Sequence, residues 1–405
     1  MLRKAIHIMF TLMLFASFWA CDTSDTIEEI TNVINVYDTL VTPEYVITDF
    51  GAVGDGLTDC APAFEKALAA LPASGGLILI PEGDFLLNNP IEITRNFVTI
   101  KGVNNGLRSN IDVPAGDMVN PGGGSKLILG SSTYGIRIPS IPDVNGRKNR
   151  ISGVNIKNLL ISGGSERKGT GIYIQQDNDG IRIDNVVGIN LNYGIFVIAA
   201  DAMIIEKCWM SECLNSIVMN YGIQNMIANC QLGAQSGGVT VTLSNQENFV
   251  FEGNHVYPDG DVNLKMTNCT YTNVSSNNFQ SYHVGMLELH GDNNLISNNI
   301  YWLRNALSQS VQLRAKDKDY GVIRVEGNAN LISSSSITCN WNEGIINPVT
   351  IRSVSGSKNR FTNLLISDDN SKRVFYVNET TEIFNCVPAD KINVDGDLNN
   401  IYVSY

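Results

Sequence analysis

Basic side chains, histidine and proline are scarce in this chain. Of 405 residues, 28 are Lys or Arg, 4 are His and 12 are Pro, against 40 Asp or Glu, for a net charge of −12. Phosphate recognition needs a clustered basic face, and the Lys and Arg residues cluster nowhere. That excludes nucleic acid and disfavours acidic polysaccharides; a neutral ligand fits better. There is no CxxC and no paired Cys/His spacing, so no zinc site is expected. Beyond residue 20 no apolar run is long enough to span a bilayer. What the chain does have is 36 glycines, many Asn-rich turns and only 17% charged residues, which together point to one long all-β unit.

The N-terminus reads as an export signal: Arg3 and Lys4, an apolar run from Ala5 to Ala20, then Cys21. The stretch "FASFWAC" resembles a bacterial lipobox, which implies acylation of Cys21 and a lipid-anchored place in the cell envelope. Residues 1–20 are therefore expected to be a signal peptide and 21–45 a tether or short stalk, with the body at 46–405. Within the tether Ile27, Ile30, Ile34, Tyr37 and Val41 fall at heptad spacing, which suits either a short trimeric stalk or a plain flexible tether. The seven later cysteines, Cys60, Cys208, Cys213, Cys230, Cys269, Cys339 and Cys386, are odd in number and define no disulfide framework. They are expected to be small buried packing residues.

The body repeats itself. "IEKCWM" from Ile205, "IANCQL" from Ile227, "FEGNHV" from Phe251, "VSSNNF" from Val274 and "ISNNIY" from Ile296 start 22, 24, 23 and 22 residues apart. Weaker copies begin at Val98, Ile156, Ile183, Ile332 and Phe361. This is the period of one coil of a parallel β-helix, whose inward side chains are hidden only by stacking on neighbouring coils. The fourth place of the clean phrases holds Cys208, Cys230, Asn254, Asn277 and Asn299, which the repeat would align at one turn, with Asn able to donate and accept along the stack.

Ahead of the repeats stands "ITDFGAVGDGLTDCAPAFEKALAAL", then "GGLILIPEGDFLL". Asp59 is placed to N-cap a helix carrying Pro62 in its first turn and Phe64, Leu68 and Leu71 on one face. This opening resembles that of the pectin-lyase-like superfamily, whose helix plugs the open N-terminal end of a right-handed parallel β-helix. The fold expected is thus all-β, a right-handed parallel β-helix (solenoid) with an N-terminal capping helix. The opening does not settle chemistry, because lyases, hydrolases and phage proteins share it. Of the polygalacturonase signatures only an Asp-Asp pair, Asp368 and Asp369, occurs here.

A second resemblance covers roughly residues 168 to 345. The strings "TGIYIQQDNDG" (170–180), "AADAM" (199–203), "LGAQSGGVT" (232–240), "FEGNHVYPDG" (251–260), "GMLEL" (285–289), "NNLISNN" (293–299) and "DYGVIRVEGNANLIS" (319–333), in that order, resemble the inulin fructotransferase family of difructose dianhydride synthases and hydrolases. The resemblance implies a homotrimer with sites between subunits, action on fructan, and no metal or cofactor. Cleaving a fructosyl bond calls for an acid and a carboxylate beside the developing positive charge. The resemblance implies Glu247 as one, with an Asp some ten residues earlier. There this chain reads Gln235, Ser236, Gly237 and Gly238, with no acid. Glu288, about two coils away, and Asp201 are the alternative partners. Gln280, Tyr282, His283, Asp177, Asp179, Gln246 and Tyr257 are the expected sugar-binding residues. Each has a plainer reading as a turn or packing residue. A glycan-binding protein without turnover, or a lyase or hydrolase on another glycan, stays open.

Overall fold

The computed structural model describes residues 44–106, 123–143, 145, 149–304, 321–341, 349–368, 373–386 and 392–395. The chain divides into two units, Met1–Pro43 and Glu44–Tyr405. The first unit, with Cys21, the export signal and the heptad stretch, lies outside the described residues, as does Asp369.

Every strand pairing of the described residues is parallel, and each strand pairs with its equivalent one coil later. A coil has three straight stretches. The first face is exemplified by the strands Met226–Ala228 and Val250–Glu252, the second by Gln231–Ala234 and His255–Val256, and the third by Val239–Ser244 and Val262–Thr270. The register carries the sequence repeat directly: Ile183, Ile205, Ile227, Phe251, Val274, Ile296, Ile332 and Phe361 stand in one column. The weak copy at Val98 is out of phase by two residues, since Ile100 pairs with Ile156.

This column is fully buried. Burial of an Ile or Phe side chain stabilises by about 1.5–3 kcal/mol, but here only because the next coil covers it. Phe251, Phe279 and Tyr301 continue the stack with ring centroids 6.1 and 4.9 Å apart. The turn between first and second faces repeats one backbone device. Lys207, Asn229, Gly253, Ser276 and Asn298 all have φ between 53° and 66°, the left-handed region that bends the chain sharply. The following residues form the expected ladder. Cys230 N–H donates to Asn254 Oδ1 at 3.0 Å, Asn254 N–H to Asn277 Oδ1 at 2.9 Å, and Asn277 N–H to Asn299 Oδ1 at 2.9 Å.

A second ladder, which the repeat phrases do not reveal, closes the turn after the third face. Thr272 N–H donates to Asn294, Asn294 to Asn330, and Asn330 to Asn359, at 2.9–3.1 Å. The helix at the front spans Ala61–Ala70 and buries Phe64 and Leu68, with Leu71 buried just beyond it. Cys60 flanks it, while Asp59 Oδ1 accepts the Ala61 and Asn88 N–H groups at 3.1 Å each. Asp59 therefore ties the helix start to a strand instead of capping it in the usual way.

All seven cysteines of the body are buried, and none is in a disulfide. Burial pushes the Cys213 thiol up to about 12 and the Cys269 thiol up to about 11. Since the thiolate is the reactive form, none of the seven is expected to react with a thiol reagent at pH 8 until denaturant opens the coils. Rapid labelling of Cys213 or Cys269 in the native protein, read by mass spectrometry, would contradict this packing.

Candidate functional site

The expected site residues separate onto the two ends of the third face. At its exit, register places Asp179 beside Asp201, Ile223 beside Glu247, Glu247 beside Thr270, and Thr270 beside Asp292. Because Ala199 pairs with Tyr221, Asp201 adjoins Ile223, so Asp201 and Glu247 stand two coils apart in one column. At ~4.8 Å per coil that is about 10 Å. Glu247 is exposed, and around it Tyr221, Ile223 and Tyr271 are 56%, 44% and 59% exposed.

The aspartates of this corner are held by a cation. Arg150 lies 2.8 Å from Asp179, 3.1 Å from Asp201 and 3.9 Å from Asp177. Burial acts to lower the pKa of Arg150, but Asp179 and Asp201 outweigh it and raise it. Asp201 also accepts the Ile223 N–H at 3.0 Å. Asp177 and Asp179, read from sequence as sugar contacts, thus grip Arg150. Gln246 is a correction: it is 1% exposed, and its Oε1 accepts the Asn225 amide at 3.0 Å inside the turn. Strand alternation turns Gln246 inward and Glu247 outward.

Glu288 is not brought to Glu247. It pairs with Lys265, which pairs with Thr242, five residues before Glu247 on its strand. The lateral offset is about 16 Å in extended chain, in addition to the two coils. Glu288 is 7% exposed, 4.0 Å from the Lys265 ammonium, and turned toward Gly285 in the loop that carries His283.

That loop belongs to the other end of the third face, where successive coils stack their second-to-third-face connections. Tyr257, Gln280, Tyr282 and His283 all lie there. The Tyr257 hydroxyl donates to Gln231 Oε1 at 2.6 Å, and its ring lies 6.4 Å from Trp209 and 6.0 Å from His255. Gln280 pairs with Trp302. The Arg304 guanidinium sits 5.2 Å from the Tyr282 ring centre and 5.0 Å from that of Trp302. His283 is a further correction: at 4% exposed it is buried, its charge acting on Asp259.

Two acids that the sequence reading passed over complete this shelf. Glu212 accepts the Gln235 amide, and its backbone carbonyl accepts Arg167 Nε–H at 2.9 Å. Burial raises the Glu212 pKa and Asp259 adds to the rise, while Arg167 and Gln235 oppose it. Burial likewise raises Asp259, with His283 and Arg304 opposing. Asp259 is exposed, and it is the protein crowded around its carboxyl that shifts it. The signal was available in the period: from Glu212, steps of 23, 24, 24 and 21 residues reach Gln235, Asp259, His283 and Arg304.

Residues 46–111 match a family described as rhamnogalacturonase A/epimerase, pectate lyase-like, and residues 132–309 one described as periplasmic copper-binding protein (NosD). The stacked parallel coils and these matches define a right-handed parallel β-helix of the pectin-lyase-like superfamily. An inulin fructotransferase [DFA-I-forming] from Arthrobacter globiformis is 26% identical over 316 residues, 74% of this chain and 79% of that protein. Structures of DFA-IIIase from Arthrobacter chlorophenolicus A6, without its lid and in complex with GF2, align with TM-scores of 0.77 and 0.76 at 19% and 20% identity. Each alignment covers 89% of this chain and 98% of that one. Within the superfamily, the chain is similar over three quarters of its length to an inulin fructotransferase.

Among the described residues no group of three or more His, Cys, Asp or Glu could hold a metal ion. The buried thiols point instead at backbone carbonyls, as Cys208 and Cys213 do.

Proposed function

We propose that the protein is an enzyme acting on an inulin-type fructan or a difructose dianhydride, moving a fructosyl group by intramolecular transfer or by hydrolysis. The observation that carries this reading is kinship with an inulin fructotransferase over three quarters of the chain, together with the fold shared with DFA-IIIase. The reaction breaks the bond from the anomeric carbon to a glycosidic oxygen and forms one to another hydroxyl or to water. A proton must reach the departing oxygen, and a carboxylate must face the positive charge that develops.

Glu247 and Asp201 stand at backbone positions about 10 Å apart at the exit of the third face, a spacing from which their side chains can approach the ~6.5–9.5 Å of inverting glycosidase pairs. Arg150 and the Ile223 N–H fix Asp201, while Glu247 is exposed. The exposed Tyr221, Ile223 and Tyr271 beside it favour a neighbouring copy covering this corner, consistent with a homotrimer.

The test is incubation with inulin, levan and difructose dianhydrides, followed by chromatography of the products, with the assembly mass read by light scattering. Release of a dianhydride or of fructose from one of them, by a particle near three times 44.2 kDa, is the expected outcome. An inert wild-type protein that nevertheless binds a fructan would favour the non-catalytic reading, which the Gln235 to Gly238 stretch already makes worth testing.

A further inference from the structure

We infer that the shelf at the entrance to the third face is the proton-donating part of the sugar-cleaving site, with Glu212 as the acid and Asp259 as its carboxylate partner. The inference rests on the fructan reading above and locates a catalytic group within it.

Three features converge there. Glu212, Gln235, Asp259, His283 and Arg304 come from successive coils, so the solenoid itself brings them into one line. The Gln235 amide bond fixes the orientation of the Glu212 carboxyl, whose side chain is 33% exposed and so reachable by a ligand. The Arg304 guanidinium lies over the Tyr282 and Trp302 rings, and Trp302, 37% exposed, offers an aromatic surface of the kind on which a sugar ring stacks.

In the step assigned to it, Glu212 gives its proton to the glycosidic oxygen as the bond from that oxygen to the anomeric carbon breaks. The departing sugar leaves as an alcohol. Asp259, with His283 and Arg304 opposing the rise that burial imposes on it, supplies the carboxylate that faces the cationic carbon. The incoming hydroxyl of the same difructose unit, or water, closes on that carbon and returns its proton to Glu212. Atoms and charge balance without a further reactant.

Burial and Asp259 hold Glu212 protonated to higher pH than an ordinary carboxyl, so turnover should fall as pH rises through that raised value. Arg167 opposes the rise, and Arg167→Gln should therefore carry the alkaline limb of the rate profile upward. On the fructan that the wild type processes, Glu212→Gln and Asp259→Asn should each lower kcat by about 100-fold or more, as removal of a general acid does, with KM and melting temperature little changed. Glu252→Gln, an exposed acid on the first face, should match the wild type. Wild-type rates in both shelf variants would overturn the shelf and leave the fructan reading standing. A wild type inert on every fructan would overturn both.

Discussion

Glu247→Gln is expected to cut turnover of the fructan substrate by about 100-fold or more while leaving the melting temperature where it is. The physical reason lies in the surroundings of this side chain. Its carboxylate is exposed and, among the described residues, no cation or hydrogen-bond donor holds it. Replacing it with an isosteric amide therefore breaks no native interaction, and surface changes of that kind usually stay within ±0.5 kcal/mol. Any loss of rate then reports chemistry or substrate contact and not folding. A general acid, base or charge-stabilising carboxylate contributes about 10²–10⁴-fold, and the kcat and KM of the variant separate these roles. Unchanged product formation would remove Glu247 from the mechanism and leave the Glu212 shelf as the catalytic acid group.

The two ends of the third face cannot serve one sugar within a single chain. Its longer strands run nine residues, as in Val262–Thr270, or about 30 Å, beyond the reach of any carboxylate pair. If both corners act on one bond, copies of the chain must bring them together. Co-expression of Glu247→Gln with Glu212→Gln is then expected to recover part of the activity that each lacks alone, because mixed assemblies regain some intact sites. Absence of recovery in verified mixed assemblies would mean that the corners do not cooperate.

Asn277→Leu should be strongly destabilising, lowering stability by about 2–6 kcal/mol. Asn277 Oδ1 accepts both the Asn254 N–H and the Asn254 amide, and its own amide donates to the Phe251 carbonyl at 2.9 Å and to Asn299 Oδ1 at 3.0 Å. A leucine fills the volume but strands a backbone N–H and a carbonyl in a dry turn, each costing about 1–3 kcal/mol. Since a solenoid is held by nearest-neighbour interfaces, the damage should be local and appear as a broadened or split unfolding transition. Asn277→Ser should cost less, because a hydroxyl oxygen already serves as ladder acceptor at Ser335, 3.1 Å from the Asn299 N–H. Denaturant melts of the three proteins decide it. Equal midpoints would show that the ladder contributes nothing net.

Much of this molecule could be read from its residues in order. The period near 22 to 24, the apolar column from Ile183 to Phe361 and the Cys and Asn ladder all follow from local chemistry repeated at a fixed interval, and a repeated local rule survives without knowledge of the fold. The kinship with inulin fructotransferases rested likewise on strings quoted in sequence. What the sequence could not decide was which side chains share a wall. Gln246 and Glu247 are neighbours in the chain, yet strand alternation buries one and exposes the other. Glu288 sits the right number of coils from Glu247 but far along the strand, and Asp177, Asp179 and Asp201 converge on Arg150, a residue that no motif pointed to. Glu212 and Asp259 are 47 positions apart in the chain and become electrostatic neighbours only because two coils of parallel strand carry them there. Periodicity dictates the coil, because burial is a property of each residue type. Proximity across coils depends on the exact length of every turn, and that is settled only when the whole stack has formed.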